Sequence, residues 1–131
     1  MTKKKQLKPI RFAHYYYKLA NDEFTTVRGE SWSRRVRSHQ HFQIEVAGKL
    51  FAYCVLQEVE VVPIAELSLQ FLKEDAEYPG LEISSSQDFV DLLNSFRRGN
   101  SLLTETALVT VLYLRKVSEP PKLTDWLCGG F

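Results

Sequence analysis

Cysteine is nearly absent: Cys54 and Cys128 are the only two. Two do not make a disulfide framework, and their spacing matches no zinc pattern. Cys54 lies inside the apolar run LFAYCVL and reads as a small buried hydrophobe. No stretch approaches the roughly 20 apolar residues of a membrane-spanning helix. The opening MTKKKQLKPI carries charge with no apolar segment behind it, so no secretory signal is expected. The sequence contains no nucleophile elbow, no phosphate-binding glycine loop and no recognisable catalytic triad. The expectation is a soluble cytoplasmic protein.

The chain has 131 residues, close to the roughly 150-residue prior for one domain. Its 44% hydrophobic and 12% aromatic content suffices for a core. The net charge is only +1, but it is unevenly spread. Residues 1–49 hold 11 Lys/Arg against 4 Asp/Glu, and residues 50–131 hold 6 against 12. Such asymmetry fits a basic face that meets a polyanion; it equally fits a basic arm that supplies solubility.

Residues 1–8 read as a basic arm, 9–117 as the domain and 118–131 as a tail without periodicity. Pro9–Phe12 suits a short first strand, His14–Asp22 a short helix or turn, and extended structure resumes at Thr25. HFQIEV alternates, with Phe42, Ile44 and Val46 on one face, as a half-buried strand does. Ala47-Gly48-Lys49 makes a hairpin turn. The β-branched run Leu50–Val62 is long for one flat strand, so a bend or bulge is expected near Gln57-Glu58. Pro63 suits the first turn of a helix ending at Pro79-Gly80. A second helix starts at a Ser85 or Ser86 cap, carries Phe89, Leu92, Leu93 and Phe96 as its stripe, and stops after Arg97 and Arg98 at Gly99. ALVTVLYLRKV is apolar on both faces and reads as a central closing strand. The order β, short α, β, β, β, α, α, β suits an α+β fold or a small, mostly antiparallel barrel decorated by helices.

Three groups of residues carry candidate chemistry. In Thr25-Thr26-Val27-Arg28, period-2 geometry puts Thr26 and Arg28 on one face and Thr25 and Val27 on the other. A hydroxyl beside a guanidinium receives phosphate, carboxylate or a base edge, although an edge strand with an exposed arginine has the same pattern. Asp75 follows Phe71 by four residues and Leu67 by eight, so it projects from the core side of its helix, where a carboxylate needs a partner or a cleft mouth. A structural salt bridge to Arg28 and a role as site acid or base both fit it. Trp32, Arg34, Arg35 and Arg37 interleave basic and aromatic side chains, as needed to track a phosphate backbone and stack a base, or form a solvated loop. His39-Gln40-His41 lacks a third ligand, so no metal is expected, nor any cofactor.

FTTVRG, the strand pair HFQIEV and LFAYCVLQEVEVVPI, the helix AELSLQFLKEDAEYPG and the closing strand VTVLYL together resemble the ASCH domain family of the PUA-like superfamily. The resemblance covers roughly residues 12–116. It implies a small mixed β-barrel with flanking helices and a cleft lined by the Thr-x-Arg segment, in a family regarded as RNA-related. Some small members are amidohydrolases acting on acetylated cytidine; they use a Lys, a Thr three residues later and a Glu on the following helix. Carried over, the Thr falls on Thr26 and the carboxylate on or beside Asp75. The Lys falls on Glu23, an acid that cannot replace an ammonium. Lys18, Lys49 and Arg28 are the basic residues left to substitute for it in space.

The leading expectation is an RNA- or nucleotide-binding domain, with Thr25, Thr26 and Arg28 in the cleft and Trp32, Arg34, Arg35, Arg37 and Lys49 around it. The alternative is a small hydrolase acting on a modified nucleoside through Thr26 and Asp75. A protein-interaction module with a vestigial cleft ranks third.

Overall fold

The computed structural model describes residues 8–96 and 102–117. Residues 1–7 of the basic arm, the helix stop at Arg97–Gly99, and the tail from residue 118 with Cys128 lie outside the described residues, while Lys8, read as the arm's last residue, begins the first strand.

Five strands form one curled sheet: β1 (Lys8–Phe12), β2 (Glu23–Gly29), β3 (His41–Val46), β4 (Lys49–Pro63) and β5 (Leu108–Val117), in the spatial order β1-β3-β4-β5-β2. Two helices are added, α1 (Leu69–Ala76) and α2 (Ser86–Ser95), with short 3-10 turns at Tyr17–Ala20, Glu30–Arg34 and Ile64–Glu66. The architecture is therefore mixed α+β with a half-barrel sheet. All neighbouring strands are antiparallel except β1, which runs parallel to β3.

Local chemistry explains the bends. At the β3–β4 turn, Ala47 and Gly48 both have positive φ, 51° and 81°, the geometry whose twist matches a two-residue hairpin. The register of β4 against β5 shifts between Leu56 and Glu58, leaving an extra residue at Gln57 where the long strand must curl. Both helices are capped by serine: Ser68 Oγ accepts from Phe71 N–H at 3.1 Å, and Ser85 Oγ from Asp88 N–H at 3.2 Å. Asp88 also accepts from Ser84 N–H, one residue ahead of the cap, at 2.8 Å.

Several boundaries differ from the sequence reading: β2 begins at Glu23 rather than Thr25, and α1 stops at Ala76, ahead of Pro79-Gly80. Pro63 does not begin a helix; it ends β4, at φ −66° and ψ 145°, and α1 starts only after the Ser68 cap. Proline fixes φ alone, and its value suits an extended residue as well as a helical first turn.

Strands β2 and β5 bury both faces. Phe24, Leu112 and Leu114 point into the inner core with Ile10, Phe42 and Leu56. Val27, Val109 and Val111 point outward, against Leu72, Ala76, Phe89 and Val90 from the helices. This period-2 division places Thr26 and Arg28 toward the concave side of the sheet and Thr25 toward α1. Cys54 is fully buried in the inner core, and burial pushes its thiol up to about 12.

Candidate functional site

Strand β2 terminates the sheet at one end and β1 at the other, and the curl brings them near each other. Arg28 spans that seam. Its Nη2 donates to the carbonyl oxygen of Arg11, just before the end of β1, at 3.2 Å, and its Nε donates to Thr26 Oγ1 at 3.1 Å. The guanidinium lies 5.1 Å from the Phe12 ring centroid and 5.5 Å from that of Trp32. Aromatic faces on a weakly hydrated guanidinium hold it in place without neutralising it.

A cleft of about 670 Å³ opens beside this group. Its polar end is made by Thr26, Arg28, Tyr16, Lys18 and Asp75, and its apolar wall by Phe89, Leu92, Phe96 and Leu108. Residues from both faces of β2 line it, so the cleft runs along the free edge of that strand. Thr26 is buried and Arg28 half-buried. No ion pair between Arg28 and a carboxylate occurs among the described residues. Burial lowers the Arg28 pKa from its ordinary value, opposed by the nearby Asp75 carboxylate. Desolvation likewise raises the Tyr16 phenol, helped by Tyr78, so Tyr16 enters the cleft as a neutral group.

Asp75 does form a buried salt bridge, but not with Arg28, the partner that the sequence offered. Asp75 Oδ1 accepts from Lys18 Nζ at 3.1 Å and from Thr25 Oγ1 at 2.8 Å. Both charged side chains are almost wholly buried, at 5% and 6% exposure, which is tolerable only because they are paired. Burial lowers the Lys18 pKa, against the opposing pull of Asp75. The ammonium also stands 5.1 Å from the Phe12 ring and 5.5 Å from that of Tyr16. Lys18 thus links the aromatic side chains of the inner core to α1, and it lines a second, smaller cleft with Glu23, Thr25 and Tyr113.

The sequence-derived residues separate accordingly. Thr26, Arg28 and Asp75 share one cleft, while Thr25 faces the other and reaches Asp75 from there. Trp32 is half-buried against the inner core, beside Arg28 and 5.1 Å from the Arg35 guanidinium. Arg34, Arg35 and Arg37 are exposed and line neither cleft. Lys49 sits exposed at the β3–β4 turn, away from both clefts, because the hairpin carries it to the far end of β3. Glu23 is exposed at the start of β2. The basic residue beside the carboxylate is Lys18, which the sequence offered only as one of three spatial substitutes. Its signal was a lysine set among Tyr16 and Leu19 in a short turn. Among the described residues no cluster of metal-ligating side chains occurs, and no helix is long and apolar enough to cross a membrane.

Fold and site together define a small α+β domain with a cationic, partly apolar cleft at the seam of a half-barrel. The chain is 38% identical over 112 residues to an uncharacterised protein of the archaeon Methanocaldococcus jannaschii, MJ0364, a similarity covering 82% of this chain and 95% of that one. It belongs to the family of that protein. No family model matches the chain, and no solved structure matches it.

Proposed function

We propose that this is an RNA-binding domain of the PUA-like, ASCH kind, whose cleft takes one nucleotide-sized unit anchored by Arg28 and Thr26. The observation that carries the reading is a half-buried guanidinium held between aromatic rings, at the polar end of a cleft, with no carboxylate partner among the described residues. Such a group has donor capacity left for a phosphate. The apolar wall from α2 offers a surface for a base, and the exposed Arg34, Arg35 and Arg37 add positive charge outside the cleft. The Thr-x-Arg segment at the cleft agrees with the ASCH resemblance. The test is binding of short single- and double-stranded RNA at rising salt: affinity falling steeply with salt supports the reading. No binding across both forms sinks it.

A second reading, a hydrolase acting on a modified nucleoside, is favoured by one observation, the contact of Lys18 and Thr25 with Asp75. An ammonium, a hydroxyl and a carboxylate within hydrogen-bond reach form a set that acyl transfer can use. In this arrangement Thr25, rather than Thr26, is the hydroxyl next to the carboxylate. The reading requires turnover of an acylated nucleoside that disappears in Thr25→Val and Asp75→Asn. A panel of acylated nucleosides left intact would exclude it.

A further inference from the structure

Trp32 joins the cleft to the exposed basic segment. The ring comes from the 3-10 turn Glu30–Arg34 and packs partly against the inner core, so its position is fixed, yet it stays half-exposed. Two guanidiniums lie over it. Arg28 is tied down by Thr26 and by the Arg11 carbonyl. Arg35 is exposed, and its only side-chain hydrogen bond among the described residues is a 3.5 Å contact to Ser31 Oγ, at the limit of hydrogen bonding. No described carboxylate pairs with it.

From this difference between the two arginines we infer that Trp32 is a stacking platform for a second nucleobase, adjacent to the nucleotide anchored at Arg28, with Arg35 leaving the ring to pair with the phosphate between them. The inference rests on the cleft reading and extends the ligand from one nucleotide to two. An exposed cation–π contact is weaker than a base stacked on an aromatic ring, so the base displaces the guanidinium. Arg35 exchanges that contact for a charge-assisted pair with phosphate. Arg28 touches both the cleft and the Trp32 ring, so the platform lies one step along the strand. The partner is a single-stranded nucleic acid, because a base locked in a duplex has no free face to offer.

The experiment uses the full chain with Trp126→Phe, which leaves Trp32 as the one tryptophan. Fluorescence and affinity are measured with adenosine 5′-monophosphate, the dinucleotide pApA, and a pApA analogue lacking its second base. The inference expects pApA to quench Trp32 and to bind about tenfold tighter than the mononucleotide, with the abasic analogue losing the quenching and most of that gain while its phosphate keeps the remainder. Trp32→Phe keeps part of the dinucleotide advantage and Trp32→Leu abolishes it, with thermal melting confirming that both variants fold. Equal affinity for pApA and the mononucleotide, with no quenching, overturns the platform; if Arg28→Ala still weakens the mononucleotide, the cleft reading survives that result. Quenching by the abasic analogue also overturns stacking. Absence of binding by every probe, longer RNA included, overturns the platform and the cleft reading together.

Discussion

Lys18 Nζ stands 3.1 Å from Asp75 Oδ1, 57 positions away in sequence, with both side chains withdrawn from water. The pair fastens the 3-10 turn Tyr17–Ala20 to α1 across the end of β2, and so fixes one side of the cleft. Removing one member strands the other as a buried, uncompensated charge. Lys18→Met and Asp75→Leu are therefore each expected to lose about 3–5 kcal/mol in urea unfolding, and the double variant less than the sum. Single variants within about 0.5 kcal/mol of the parent would show the pair to be incidental.

Neighbouring threonines should differ in kind. Thr25 donates to Asp75, so Thr25→Val leaves that carboxylate short of a donor, and a loss of about 1–3 kcal/mol is expected. Thr26 accepts only from Arg28 among the described contacts, so Thr26→Val should weaken RNA binding more than it alters the unfolding midpoint. Paired denaturation and binding measurements on the two variants check the contrast; identical behaviour would contradict it.

How much of this was legible in the residues follows from the range of each signal. The faces of Thr26 and Arg28 follow from the two-residue period of a strand, and the inward turn of Asp75 from helical spacing, and both appear in the structure. The bulge at Gln57 and the hairpin at Ala47-Gly48 were legible too, since a 15-residue strand must bend and a tight turn needs its own backbone geometry. What the pattern could not supply was partnership across the chain. Local spacing contains no term for Lys18 meeting Asp75, for β1 running parallel to β3, or for α2 forming a wall of the Arg28 cleft. The start of α1 was misplaced for a related reason: pairing of Val62 and Pro63 with β5 carries the strand past the point where proline signals a helix.

Tyr113 gives a pH signature. Burial, and a 2.7 Å hydrogen bond donated to Glu60, push its phenol up to about 12. An unfolded tyrosine ionises near 10, so the folded state binds more protons between those values. The contribution is fully present below about pH 10 and is lost as pH rises toward about 12. Tyr113→Phe should flatten that part of the stability curve, measured by urea unfolding at stepped pH. An unchanged curve would refute the assignment.

Cys54 should be inert while the fold holds. Its buried thiol is kept protonated, with Lys116 only partly opposing the effect of burial. In a Cys128→Ser chain, a thiol reagent at neutral pH should label nothing until denaturant unfolds the protein. Rapid labelling of the native chain would contradict the placement of Cys54.

The central claim is that Arg28 anchors an RNA phosphate in the cleft. The direct measurement is the affinity for a short single-stranded RNA across a salt series, for the parent chain, Arg28→Lys and Arg28→Ala, alongside their unfolding midpoints. The account predicts that Arg28→Ala stays folded, binds roughly tenfold or more weakly, and shows a log–log salt slope shallower by about one, with Arg28→Lys in between. Binding and salt slope unchanged in Arg28→Ala, or a chain that unfolds when Arg28 is removed, would contradict it.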